Sequence, residues 1–164
     1  MSRANESPGA RLTRMWGRLS GLPGGSWIFS RLLGLMVPYS GSLGAQVVRF
    51  DPGHVEVDLK DRRAVRNHLR SVHAIALANL GELSTGLAVL GALPSTVRGI
   101  LVGIEVQYTK KARGRLRAEA VCSIPAVTEP TDFDVEARIR DSSGDEVAVV
   151  RALWRLGPSP KAGA

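Results

Sequence analysis

Asn67-His68-Leu69-Arg70-Ser71-Val72-His73-Ala74-Ile75-Ala76-Leu77-Ala78-Asn79-Leu80-Gly81-Glu82-Leu83-Ser84-Thr85-Gly86-Leu87-Ala88-Val89-Leu90 reads as a polar loop entering a long helix. The helical part is apolar or small on nearly every side, the pattern of a helix buried all round. One carboxylate, Glu82, sits in the middle of it. Acidic side chains are almost never buried without a partner or a task. The expected core of the fold and its expected chemistry therefore fall in the same stretch. The helix is expected over about residues 73–91, with Gly91 and Pro94 closing it.

Upstream, residues 43–50 and 54–60 read as strands joined by the turn Asp51-Pro52-Gly53. The second alternates cleanly, with Val55, Val57 and Leu59 on one side and Glu56, Asp58 and Lys60 on the other. Downstream, residues 100–109, 115–124, 133–140 and 146–156 read as strands of an antiparallel meander. Lys110-Lys111-Ala112-Arg113-Gly114 is read as the first of its turns, and Asp141-Ser142-Ser143-Gly144-Asp145 as a hairpin turn. Val102, Ile104, Val106 and Tyr108 are expected on one face of the first strand. On the outer face, Arg117 and Glu119 are expected to pair with Glu136 and Arg138. The inner face is small and apolar, suited to wrapping a helix. The fold class is α+β.

The 164 residues, 44% hydrophobic, suffice for one soluble domain with a proper core. Residues 25–157 are expected to form it, preceded by a flexible basic leader (1–24) and followed by a disordered tail (158–164). The leader carries Arg3, Arg11, Arg14 and Arg18 without the continuous apolar core of a secretory signal, and ends in breakers from Gly21 to Gly25. Its 11–19 segment, with Leu12, Met15, Trp16 and Leu19, has a second reading as a basic amphipathic helix touching a membrane. An extra helix is expected over about 26–36, capped by Ser26 and stopped by Pro38, lying as a lid on the domain. The apolar run 27–37 is interrupted by Arg31 and falls short of the roughly 20 residues of a membrane span.

A single cysteine, Cys122, rules out an intramolecular disulfide and a cysteine metal cluster; the count fits a reducing, cytoplasmic setting. The net charge of +7 suits nucleic acid, acidic lipid or a phosphorylated small molecule, or reflects arginine-rich composition alone. Nucleic acid is disfavoured because aromatics are only 5% and Tyr108 stands alone near the basic turn.

A sheet wrapped around a central helix is similar to the hotdog fold. The residues sharpen the likeness. In hotdog acyl-CoA thioesterases of the phenylacetyl-CoA and 4-hydroxybenzoyl-CoA type, an Asn precedes a His-Gly-Gly motif and an acidic residue follows on the helix. Asn67, His73-Ala74-Ile75 and Glu82 resemble that pattern, and Tyr108-Thr109-Lys110-Lys111-Ala112 with Gly114 resembles the strand and turn that follow. Residues 40–156 carry the resemblance, nearest to a bacterial branch described only as a domain of unknown function. Two departures are Ala74-Ile75 for Gly-Gly, and Leu101 where some relatives place a Ser near the attacking water.

The resemblance implies a thioester hydrolase acting on acyl-CoA or an acyl-carrier thioester, as a homodimer or tetramer with the site between subunits. Coenzyme A would be part of the substrate; no further cofactor and no metal is implied. Glu82 would attack the carbonyl or activate water, Ala74 N–H would stabilise the oxyanion, and Asn67 would hold the carbonyl or the water. Burial favours a raised carboxyl pKa at Glu82, and Ala78 and Gly86 leave space beside it. The alternative is a structural carboxylate paired with an arginine across the dimer. His73 and Glu82 are two and a half turns apart, about 13 Å along the axis and on opposite faces, so one helix cannot complete a site. His73 is expected to order the loop, with Ser71 capping the helix. Asn67 has an alternative reading as a turn residue.

Asn79, one turn from Glu82, would orient its carboxylate or bond across a two-fold axis. Lys110, Lys111 and Arg113 would bind the coenzyme A phosphates, or form a solvated turn. Two rival functions remain: a non-catalytic acyl-CoA or lipid-binding hotdog module, and a dehydratase using His68 and Glu82.

Overall fold

The computed structural model describes residues 7–159. Along the chain run α1 (Pro8–Leu19), α2 (Gly25–Met36), α3 (Pro38–Ser42), β1 (Gln46–Asp51), β2 (His54–Leu59), α4 (Ala74–Ala92), β3 (Val97–Tyr108), β4 (Leu116–Val121), β5 (Thr131–Asp141) and β6 (Glu146–Pro158). The strands form one antiparallel sheet in the order β1-β2-β4-β5-β6-β3.

The sheet wraps α4, which packs against every strand. Leu77, Leu80, Leu87 and Ala88 are buried among Val55, Val57, Leu116, Ala118, Ala137 and Ile139, and Val89 among Val135, Ala152, Trp154 and Leu156. Gly81 permits the close approach: a Cβ there would overlap the Val150 side chain. Ser84 and Thr85 are fully buried, and each hydroxyl donates to a helix carbonyl, Leu80 O at 2.7 Å and Glu82 O at 3.0 Å. Both hydroxyls are thus carried inside with a hydrogen bond made. α4 has the length and apolarity of a membrane span, but here it is the core helix.

The strand order corrects the expected meander. Lys110–Gly114 is a crossover, not a hairpin turn: β3 pairs with β6 at the sheet edge, while β4 lies between β2 and β5. Anchors along the link carry it across the β5–β6 turn. Ala112 is buried and its carbonyl accepts from Val72 N–H at 2.8 Å; Gly114, at φ 71°, donates its N–H to Asp61 Oδ2 at 3.0 Å. On β3 a bulge between Leu101 and Gly103 changes the expected face. Leu101 lies opposite Trp154, and Ile104, Val106 and Tyr108 lie opposite Ala152, Val150 and Ala148. The expected outer-face charge pairs also exchange partners: Arg117 binds Asp58 and Glu56, and Glu119 binds His54 and Arg140.

The leader is not loose over its described part. Ser7 caps α1, whose Leu12 is buried and whose Trp16 packs edge-on against Phe29 and Phe50 at 5.0 and 6.4 Å. The amphipathic segment turns its apolar side into the domain. Gly9 allows this contact, since a Cβ there would overlap the Leu90 carbonyl. Residues 1–6 lie outside the described residues. So do 160–164, most of the expected disordered tail; before them, β6 runs through Pro158 and Ser159 N–H donates to Thr96 O at 2.7 Å.

Candidate active site

The loop before α4 is a closed hairpin. Arg66 bridges Val72, and Asn67 N–H donates to Ser71 O at 2.8 Å. Asn67 Oδ1 accepts from Leu69 N–H and Ser71 N–H at 2.9 and 3.2 Å. The oxygen of Asn67 is therefore the turn residue of one reading, while its amide NH2 stays available as a donor. Arg70 closes the turn at φ 56°, a left-handed conformation uncommon for a residue with a side chain. Asp61 ties the loop to the crossover, binding Arg66 at 2.6 Å as well as Gly114. Its carboxyl is held below the usual range by the Arg66 hydrogen bond.

His73, not Ser71, caps α4. Its Nδ1 accepts from Ile75 N–H at 3.1 Å, while Ser71 Oγ donates to Val72 O. Ala74 N–H follows the cap as the first helical amide, for which a helix offers no internal acceptor. Tyr108, at the end of β3, reaches the same place and donates to Ala74 O at 3.1 Å. Ile75, which stands in place of the second Gly of the resembled motif, is 57% exposed.

Glu82 lies partly buried midway along α4. Among the described residues its carboxylate has no hydrogen-bond or ion-pair partner, and burial alone pushes its pKa above the ordinary glutamate value. The flanking Ala78 and Asn79 are also only partly buried. Gly86 brings the backbone close to both Glu82 and Trp154, with room there for a methyl group. From its ideal Cβ position, Glu82 Oε1 is 3.8 Å away and Trp154 Cζ2 is 3.6 Å away. Trp154 is buried, and its Nε1–H has no acceptor among the described residues. An orphaned buried donor is uncommon, and this one belongs to a side chain that meets Gly86 beside the carboxylate. Sequence reasoning passed over Trp154, although the alternation Val150, Ala152, Trp154, Leu156 directs it inward.

Asn67 lies in the hairpin that leads into α4, and His73 and Ala74 begin the helix. Glu82 and Asn79 lie further along; Glu82 is about 12 Å along the axis from Ala74. The basic turn is divided. Lys110 Nζ is held by Asp141 and Asp145 of the β5–β6 turn. Lys111 and Arg113 are exposed, and Arg113 also acts on Asp61. His68 is exposed on the loop.

Other reactive groups are already engaged. Burial raises the Cys122 thiol to about 11, so it is not a thiolate at neutral pH. His54, Glu56 and Glu119 present ligand atoms within 4.8 Å of one another. His54 already bonds Glu119 at 2.8 Å, and Arg117 and Arg140 reach the two carboxylates at 3.0 and 3.5 Å. Below α2, where the lid was expected, lies a cavity of about 430 Å³, its walls including Trp27, Arg31, Val47, Asp58 and Leu83.

Residues 25–156 match the family described as "Domain of unknown function (DUF4442)". Among solved structures, a structural-genomics protein is similar over 92% of this chain and 100% of its own, at 29% identity and TM-score 0.81. A Pseudomonas aeruginosa protein of unknown function, described as a probable thioesterase, is similar over 84% of this chain and 97% of its own, at 22% identity and TM-score 0.73. A hypothetical thioesterase protein from Streptococcus pneumoniae, in mutant form, is similar over 70% and 91%, at 18% identity and TM-score 0.61. No curated protein matches. The fold is the hotdog fold.

Proposed function

We propose, on the premise that this chain belongs to the DUF4442 family, that it is a thioester hydrolase acting on acyl-CoA or acyl-carrier-protein thioesters. The observation that carries the reading is Glu82: a partly buried carboxylate, its pKa raised, near Trp154 across Gly86, where among the described residues neither the carboxylate nor the buried indole N–H has a partner. The similarity to proteins described as thioesterases supports the same chemistry.

In this mechanism Glu82 takes a proton from water as the water oxygen bonds to the thioester carbonyl carbon. Raising its pKa toward neutrality strengthens it as a base. The oxyanion formed is met by Ala74 N–H at the positive end of α4. Asn67 donates its side-chain NH2 to the carbonyl or the water, and His73 holds the helix start in place. Asn79 orients the carboxylate. Collapse of the intermediate breaks the C–S bond, and the proton on Glu82 passes to the leaving thiolate. Lys111 and Arg113 remain for the coenzyme A phosphates; Lys110 is already neutralised.

The separation of Ala74 and Glu82 requires two copies: Glu82 of one works with Asn67 and Ala74 of the other. Support comes from β3, an edge strand with Ile100, Val102 and Ile104 exposed, and from the uncovered side of α4 around Ile75.

Thiol release over a series of acyl-CoA chain lengths tests the reading. Glu82→Gln is expected to lower kcat by about 10²- to 10⁴-fold with KM little changed. Unchanged kcat would overturn the mechanism. Binding of acyl-CoA without turnover in either protein would support the non-catalytic module instead.

A further inference from the structure

We propose that the outward face of α2 and the start of α3 form a docking surface for an anionic lipid bilayer. α2 is apolar on both sides. Its inward side buries Phe29 and Leu33. Its outward side carries two adjacent rows at helical spacing, 27-31-35 and 28-32-36, in which every residue except Arg31 is apolar. Trp27 is 58% exposed, Leu35 78% and Met36 55%, and the surface continues into Val37 and Tyr39. Among the described residues these side chains remain exposed.

Charge identifies the occupant. Across α1 and α2 the chain holds Arg11, Arg14, Arg18 and Arg31 and no carboxylate. α1 packs beside α2 through Trp16 and Phe29 and leaves Arg11, Arg14 and Arg18 exposed. Arg31 lies over the Trp27 ring, 5.7 Å from its centroid, within the apolar face itself. A protein partner for a face of this kind would need its own acidic surface around an apolar centre. A bilayer with anionic headgroups supplies both: phosphates for the arginines and acyl chains for Leu35 and Met36. Trp and Tyr suit the boundary between them. This is not the contact expected of the leader, because the apolar side of α1 is turned into the domain. Trp27, Arg31, Leu35 and Val37 also line the cavity below α2 that reaches Leu83; the proposal stands without the hydrolase reading.

The test is sedimentation of the full chain with phosphatidylcholine vesicles, with and without phosphatidylglycerol, across a salt series. The chain is expected to bind the phosphatidylglycerol vesicles and to release as salt rises. Leu35→Ser combined with Met36→Ser is expected to weaken binding about tenfold or more, and Arg11→Gln with Arg18→Gln to flatten the salt dependence. Quenching of Trp27 by brominated lipid, with Trp27→Phe as the blank, reads the same contact in a chain with both apolar positions intact. Absence of binding to either vesicle would overturn the proposal, as would wild-type binding by the Leu35/Met36 variant. A lipid-free oligomer that this variant halves in mass would also overturn it, assigning the face to a second copy.

Discussion

Glu82 is a charge placed where the helix around it offers no compensation, and its stability cost follows from that. Its pKa is raised by burial with no cation opposing. Below the ordinary glutamate value, folded and unfolded chains are both protonated there, and the site costs nothing. As pH rises through the window between the ordinary and the raised value, the unfolded chain loses the proton first and the folded state loses stability; above the window the loss is complete and constant. Glu82→Gln is therefore expected to raise the melting midpoint at neutral pH by on the order of a few degrees and to leave it unchanged at pH well below the window. Thermal unfolding of both proteins across pH reads this directly. A variant melting below wild type at neutral pH would mean that the carboxylate has a structural partner, the arginine pairing weighed against catalysis. The isolation of Glu82 was legible in the sequence because no other charge interrupts residues 74–92. The orphaned indole of Trp154 was not legible. It depends on which ring edge faces Gly86, and that is fixed by packing, not by alternation.

At the scale of elements, the loop at 66–72 separates two roles within one side chain. The Asn67 oxygen holds the turn by accepting from Leu69 and Ser71. Its NH2 is the donor the mechanism uses. Asn67→Asp keeps the acceptor and removes the donor, whereas Asn67→Ala removes both. The aspartate variant is expected to keep the wild-type melting midpoint while kcat falls about a hundredfold; the alanine variant is expected to lose both. Melting curves beside kcat for the pair check this, and full activity in Asn67→Asp would leave Asn67 as a turn residue only. The helices and strands could be read from periodicity, and α4 starts and stops close to where its cap and Pro94 indicate. The cap itself differed, since an imidazole nitrogen does here what a serine hydroxyl was expected to do. The crossover was misread because a basic stretch ending in Gly looks like a hairpin turn. Only the long-range anchors at Val72, Asp61 and Asp141 show that it crosses the sheet. The docking of α1 was hidden for a similar reason: its apolar spacing was visible, but its partner was not.

For the whole molecule, one chain leaves β3 unpaired on its outer edge, one side of α4 uncovered, and its candidate catalytic groups at two separate points along the helix. These three features have one explanation if the working unit is a pair of chains, each lending Glu82 to the other's loop. Subunit complementation tests that claim most directly. Glu82→Gln and Asn67→Asp chains carrying different tags are co-expressed, the mixed dimer is isolated through both tags, and thiol release from acyl-CoA is measured. If each site takes Glu82 from one chain and Asn67 from the other, one site in the mixed dimer carries both defects and the second is intact. The mixed dimer should then recover about half the wild-type rate per dimer, although both parents are nearly inactive. A mixed dimer no more active than its parents would contradict the account.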